Sequence, residues 1–301
     1  MTGLEDVKSK ILGIKAKIET VARQGTDMKR ERLGMMMLGN PGTGKTTVAR
    51  LYAKFLASVQ AIPGNEFVEV TGSSLANEGV PGAQKRIEAI IKAGGGAFFL
   101  DEAYQLASGN NTGGKAALDF LLAEVEERVG KVVFILAGYT KEMEKFFEHN
   151  PGFDSRMPHR LTFADYTDAE LRTMLAHLIK KKYGGRASVD DGLKGLYVRI
   201  LIRRLGRGRG KEGYGNARVL ENVWAKVTER QATRINQERI SGCIPDDLYF
   251  AKEDLIGPEP HGAIQRSEAW KELQSMIGLT AVKQPVKALI NRIQRNYFRE
   301  L

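Results

Sequence analysis

At positions 39–46 the chain reads Gly39-Asn40-Pro41-Gly42-Thr43-Gly44-Lys45-Thr46, the G-x-x-x-x-G-K-T pattern of a phosphate-binding loop. This stretch constrains the fold more than any other, because it works only between a strand and a helix. Met35-Met36-Met37-Leu38 before it is an apolar run of the right length for a buried strand. Val48, Leu51, Tyr52, Phe55 and Leu56 after it recur at helical spacing. The glycines let successive N–H groups curl around anionic oxygens, and the helix adds its positive dipole end. Lys45 would reach the β- and γ-phosphates of ATP, and the Thr46 hydroxyl would ligate Mg²⁺. Asn40, Pro41, Gly42, Thr43, Gly44 and Thr47 complete the expected cradle. A glycine loop that merely turns the chain is the competing explanation, and the flanking periodicities argue against it.

The second chemical landmark is Ala97-Phe98-Phe99-Leu100-Asp101-Glu102. An apolar strand delivers two acids to its C-terminal end, where ligands bind in open α/β sheets. Asp101 can hold the Mg²⁺ shell, and Glu102 can polarise an attacking water. Further strands are predicted at Phe67–Val70, Val132–Leu136 and Arg160–Phe163, with helices between them and one helix before the loop carrying Val7, Ile11, Ile14 and Ile18. Ser73 to Gly82 reads as a loop and Ala83 to Ala93 as a helix. Strands alternating with helices predict an α/β, doubly wound parallel sheet. From Asp165 onward the period is helical only: Thr167 and Glu170 form a capping box, Leu193–Leu205 reads as helix, and Asn216 can cap another. Ile256 to Pro260 reads as a linker. The expected organisation is a nucleotide-binding domain over 1–165, a small helical lid domain over 166–250 and a linker over 251–275.

The tail repeats the start. Met276-Ile277-Gly278-Leu279-Thr280-Ala281-Val282-Lys283 matches Met1-Thr2-Gly3-Leu4-Glu5-Asp6-Val7-Lys8 at five of eight positions. Ile293 matches Ile18 at the same offset, so residues 276–301 read as the truncated start of a second repeat.

Composition excludes little. The 301 residues are 42% hydrophobic, enough for more than one domain. The single cysteine, Cys243, rules out an internal disulfide and fits a reducing compartment. Four scattered histidines lack the spacing of a zinc site. No apolar run approaches membrane-span length, and an intracellular location, cytoplasmic or nuclear, is expected. Net charge is +10, and residues 161–301 hold 25 Lys and Arg against 17 Asp and Glu. The densest part, Arg203 to Lys211, has glycines but no interleaved aromatics to stack bases, so a solvated basic loop outweighs a nucleic-acid surface.

Together these residues resemble an AAA+ ATPase of the CbbX-type group. The resemblance covers residues 1 to about 250. It implies a parallel nucleotide-binding domain with a helical lid, ATP and Mg²⁺ as cofactors, and a homo-oligomeric, hexameric ring. Gly39–Thr46 looks like Walker A, and Asp101-Glu102 like Walker B. Gly3 and Leu4 match the turn beside adenine, and Ala137-Gly138-Tyr139 the group's AGY segment. Arg156, after Asn150-Pro151-Gly152, matches the arginine finger that acts on a neighbouring subunit. Arg218, in Gly215-Asn216-Ala217-Arg218, matches the sensor-2 arginine that acts on its own nucleotide. Two positions depart from the wider pattern: Tyr139-Thr140 stands where many AAA+ proteins place an Asn, and Glu78-Gly79-Val80-Pro81-Gly82 lacks the pore-loop aromatic.

The resulting expectation is ATP hydrolysis that remodels a protein partner or complex. Threading by aromatic grip is not supported, because Val80 would be the only grip of a projecting loop. A nucleic-acid motor or loader is the first alternative. Remodelling of inhibited Rubisco, raised by the resemblance alone, is the second.

Overall fold

The structure, a computed structural model, describes residues 2–26, 31–108, 112–260, 264 and 267–301. Met1 of the repeated octapeptide, residues 27–30 of the segment before the first strand, and 261–263 and 265–266 of the expected linker lie outside the described residues. Contacts group the chain into two units, Gly3–Tyr166 with Gly210–Ala217, and Thr167–Arg209 with Arg218–Leu301.

In the first unit, β1 (Met35–Gly39), β2 (Glu66–Thr71), β3 (Gly96–Asp101), β4 (Val132–Gly138) and β5 (His159–Phe163) form one parallel sheet in the order β2-β3-β4-β1-β5. The three central strands are apolar without alternation because both faces are covered. Met35 and Met37 pack with Val7, Ile14 and Ile18 of α1 (Glu5–Arg23) and with Val48 and Tyr52 of α2 (Lys45–Ser58). Met36 and Leu38 point the other way. They pack with Leu75 and Ile87 of α3 (Gly72–Lys92), Leu121 of α4 (Thr112–Glu127) and Met143 of α5 (Thr140–His149). Each such buried side chain contributes about 1.5–3 kcal/mol, so this double cover fixes the strand register. A short helix, α6 (Pro151–Arg156), leads into β5.

The expected loop over Ser73–Gly82 is corrected. The Thr71 hydroxyl accepts from the Ser74 N–H and starts α3 at Gly72, and the helix runs to Lys92 with one break at Gly79 (φ 65, ψ −154). Pro81 follows the break and so sits in a first turn, where its missing N–H costs little. Arg86 donates to both Glu78 carboxylate oxygens across the break, at 2.5 and 2.8 Å, and Ser74 donates to Glu78 at 3.0 Å. Val80 is therefore half-buried in a kinked helix and does not sit on a projecting loop.

The second unit contains α7 (Asp168–Tyr183), α8 (Leu196–Gly206) and, from Arg218 onward, α9, which spans Asn216–Ile240. The Thr167–Glu170 capping box is present. The unit is not purely helical: β6 (Ser188–Val189) pairs in parallel with β7 (Tyr249–Phe250), and the Phe250 ring packs tilted against Trp224 with centroids 4.8 Å apart. Nor is the stretch after residue 250 a bare linker. It forms α10 (Lys252–Ile256), anchored by buried Leu255 and Ile256 and by Asp254, which is 1% exposed and pairs with Arg234 at 2.8 Å. Further along, Glu268–Ser275 forms α11 and Thr280–Glu300 forms α12. Gly278 and Leu279, before α12, take left-handed φ values of 77° and 54°. Gly3 and Leu4, before α1, take 67° and 61°, so the Gly-Leu pair makes the same left-handed turn before each helix.

Candidate functional site

Parallel pairing brings three chemically loaded strand ends to one edge. β4 lies between β1 and β3, with Leu38 level with Gly138 and Leu100 with Leu136. The loop after β1 and the acids at the end of β3 therefore emerge one strand apart. Gly39 is required there, because a Cβ on it would sit 2.5 Å from the Phe163 carbonyl oxygen of β5. Gly42 (φ 67) and Gly44 (φ 96) turn the chain with backbone angles that side chains rarely adopt.

Lys45 opens α2 and is 8% exposed. Its ammonium donates to the carbonyls of Gly39 at 2.8 Å and Asn40 at 2.9 Å, inside the curl of the loop. A buried cation beside glycine amides and a helix N-terminus fits an anionic phosphate chain. Thr46 follows it, half-buried, and Thr47 is exposed. The Thr46 hydroxyl and the Asp101 carboxylate are hard oxygen donors of the kind Mg²⁺ takes.

Across β4, the Asp101 carboxylate accepts from the Glu102 N–H at 3.0 Å. Glu102 sits in a left-handed conformation (φ 51), and Gln105 donates to its carboxylate at 2.5 Å. The Tyr104 ring packs tilted against Tyr139, with centroids 5.7 Å apart. Burial first, then the Glu102 charge, pushes the Tyr104 phenol up to about 12. Beside the loop lies a cleft of about 220 Å³, lined among others by Asn40, Tyr139, Asp165 and Glu212.

The remaining expected residues fall elsewhere. Gly3 and Leu4 form the left-handed turn that starts α1. Arg156, at the end of α6, donates to Glu126 of α4 at 2.8 Å and to the Gly152 carbonyl at 3.0 Å. Arg218 is an exposed residue in the first turn of α9. Asn216 is the first residue of α9, and its side-chain oxygen accepts from the Tyr166 N–H at 2.9 Å. Asp165 and Tyr166, just after β5, reach the loop and were not singled out as site residues. An acid immediately beyond a parallel strand was the available signal.

Residues 35–164 match the ATPase family associated with various cellular activities (AAA). The chain is 34% identical over 253 residues to the plasmid-encoded CbxX of Cupriavidus necator, covering 82% of this chain and 77% of that protein. It is also 34% identical over 248 residues to CbbX of Cereibacter sphaeroides, covering 78% and 76%. The chain belongs to the CbbX-type AAA ATPases. Stage V sporulation protein K of Bacillus subtilis is a further relative, 34% identical over 78% of this chain and 73% of that protein. The AAA fold extends to a solved mutant of Thermotoga maritima RuvB, with a TM-score of 0.53 at 16% identity over 95% of this chain and 83% of that one. This AAA protein is thus a nucleotide-binding ATPase. Among its described residues no helix is long and apolar enough to cross a membrane.

Proposed function

We propose that this AAA ATPase hydrolyses Mg²⁺-bound ATP at the β1/β3 strand ends and uses the cycle to remodel a protein partner or complex, as a ring of like subunits. The observation that carries it is the arrival of a buried loop lysine, Lys45, and an acid pair, Asp101 and Glu102, at strand ends separated only by β4. Lys45 and the amides of residues 42–46 bind the phosphates, with Asn40, Pro41 and Thr47 bordering the loop. Thr46 and Asp101 hold the metal, which when bound neutralises phosphate charge. Glu102 polarises the attacking water, and its Gln105 contact orients it. Gly3 and Leu4 flank the base. Arg156 stabilises charge on a neighbour's nucleotide, and Arg218 does so on its own. We read the first contact group as a nucleotide-binding domain and the second as a lid that also carries α12, the counterpart of α1 in sequence.

The test pairs two variants. Lys45→Ala is expected to lose nucleotide binding, and Glu102→Gln to bind ATP while hydrolysing it about 10²–10⁴-fold more slowly. Nucleotide titration with phosphate-release measurements separates them. Parental turnover in Glu102→Gln would remove Glu102 from its role.

A further inference from the structure

Three consecutive carbonyls of the phosphate loop point outward, and each accepts a hydrogen bond from outside the loop. The Pro41 carbonyl takes the Asn216 side-chain amide at 3.3 Å. The Gly42 carbonyl takes the Ala217 N–H at 3.2 Å. The Thr43 carbonyl takes the Tyr166 hydroxyl at 2.9 Å. In a trans peptide, C=O and the following N–H point in opposite directions. Holding these carbonyls outward therefore turns the N–H groups of Gly42, Thr43 and Gly44 toward the inside of the curl.

The donors are themselves fixed. Asn216 is 1% exposed and sits at φ 45. Its oxygen accepts from the Tyr166 N–H, while its nitrogen donates to Asp165 at 2.7 Å and to the Tyr214 carbonyl at 3.0 Å. A flipped amide would set oxygen against these three acceptors, so the network selects one orientation. Asp165 also accepts from the Asn40 side chain at 2.9 Å and from the Gly210 N–H at 2.8 Å. Asn40 returns a contact to the same segment, accepting from the Gly213 N–H at 3.1 Å.

We propose that Asp165, Asn216 and Tyr166 are positioning residues that hold the phosphate loop preorganised: they fix its peptides so that three N–H groups face the phosphates before nucleotide arrives. This rests on reading Gly39–Thr46 as the phosphate site. Preorganised donors bind an anion without first reorganising, so losing the brace weakens phosphate recognition more than it slows chemistry.

Two variants test it in the full chain, with Lys45→Ala as the reference. Asn216→Asp replaces the amide nitrogen with an oxygen facing Asp165 and the Pro41 carbonyl. Tyr166→Phe removes only the hydroxyl and keeps the buried ring. Asn216→Asp is expected to weaken ADP binding about 10–100-fold and Tyr166→Phe about 3–10-fold, from loss of one or two hydrogen bonds in an anion site. KM for ATP should rise by similar factors, with kcat at saturation within about twofold of the parent. In nucleotide-free protein, amide hydrogen exchange over residues 42–44 should rise in both variants while β3 and β4 stay protected. If Asn216→Asp fails to fold, Tyr166→Phe carries the test alone. Parental ADP affinity and parental exchange at 42–44, with Lys45→Ala losing ADP, would overturn the brace and leave the phosphate site standing. Retained ADP affinity in Lys45→Ala would overturn both.

Discussion

Gly72 shows how one residue without a side chain can govern chemistry on a neighbouring strand end. A Cβ on Gly72 would overlap the Glu102 carbonyl oxygen and touch the Gln105 side chain at 3.1 Å. The start of α3 is thus packed directly against the residue proposed to polarise water and the one that orients it. Gly72→Ala must displace the Glu102 backbone, because a methyl group has no other space. We expect it to cost about 1–3 kcal/mol in stability, the range for overpacking, and to lower kcat while leaving nucleotide affinity near the parent. Thermal unfolding, nucleotide titration and steady-state hydrolysis check the three parts. Unchanged kcat at reduced stability would mean that Glu102 tolerates the shift.

Among the elements, α3 departs most from its local signals. Gly-Val-Pro-Gly reads as a turn, yet the helix resumes after Gly79 because Glu78 and Arg86 bridge the break and Leu75, Ala83 and Ile87 bury one continuous face. The Arg86 bond, and after it the Ser74 bond, hold the Glu78 carboxyl down at about 2 against an ordinary 4.5. A carboxyl with a depressed folded-state pKa contributes stability above the ordinary value and loses it as pH falls through the folded one. Arg86→Gln should therefore lower the melting temperature at neutral pH. The gap to the parent should close between pH 4.5 and about 2. A gap that stays constant across this window would show that the bridge is packing and not charge.

For the whole molecule, the decisive question is whether Arg156 meets a neighbouring subunit's nucleotide. Within the chain it is paired with Glu126, which also accepts from Arg32 at 3.2 Å. Acting on a neighbour requires exchanging that carboxylate for phosphate oxygens, a replacement of one anion by another. Mixing Arg156→Ala with Glu102→Gln subunits should restore part of the hydrolysis that each lacks alone, because some interfaces then pair an intact arginine with an intact Glu102 site. Hydrolysis measured across mixing ratios, with mixed assemblies confirmed by mass, reads this directly. No recovery at any ratio would confine Arg156 to its bond with Glu126. The repeated tail adds a second surface to this scale. Val282, Leu289 and Ile293 of α12 are 48%, 57% and 45% exposed, whereas their counterparts Val7, Ile14 and Ile18 are at most 6% exposed.

The parallel sheet, the phosphate loop and the acid pair were legible in the residues because each is local. A strand buried on both faces needs an unbroken apolar run, a loop that cradles phosphate needs glycines at fixed spacing, and the acids follow their strand directly. Ser188–Val189 with Tyr249–Phe250 was not legible, since two-residue strands carry no period. The α3 helix was not either, because a long-range face burial outweighed its turn residues. The brace on the loop depends on Asn216 and Pro41, 175 positions apart, meeting with 3.3 Å between donor and acceptor. Sequence can place an Asn after a Gly, but hydrogen bonds of that span form only once the sheet has set which strand ends adjoin.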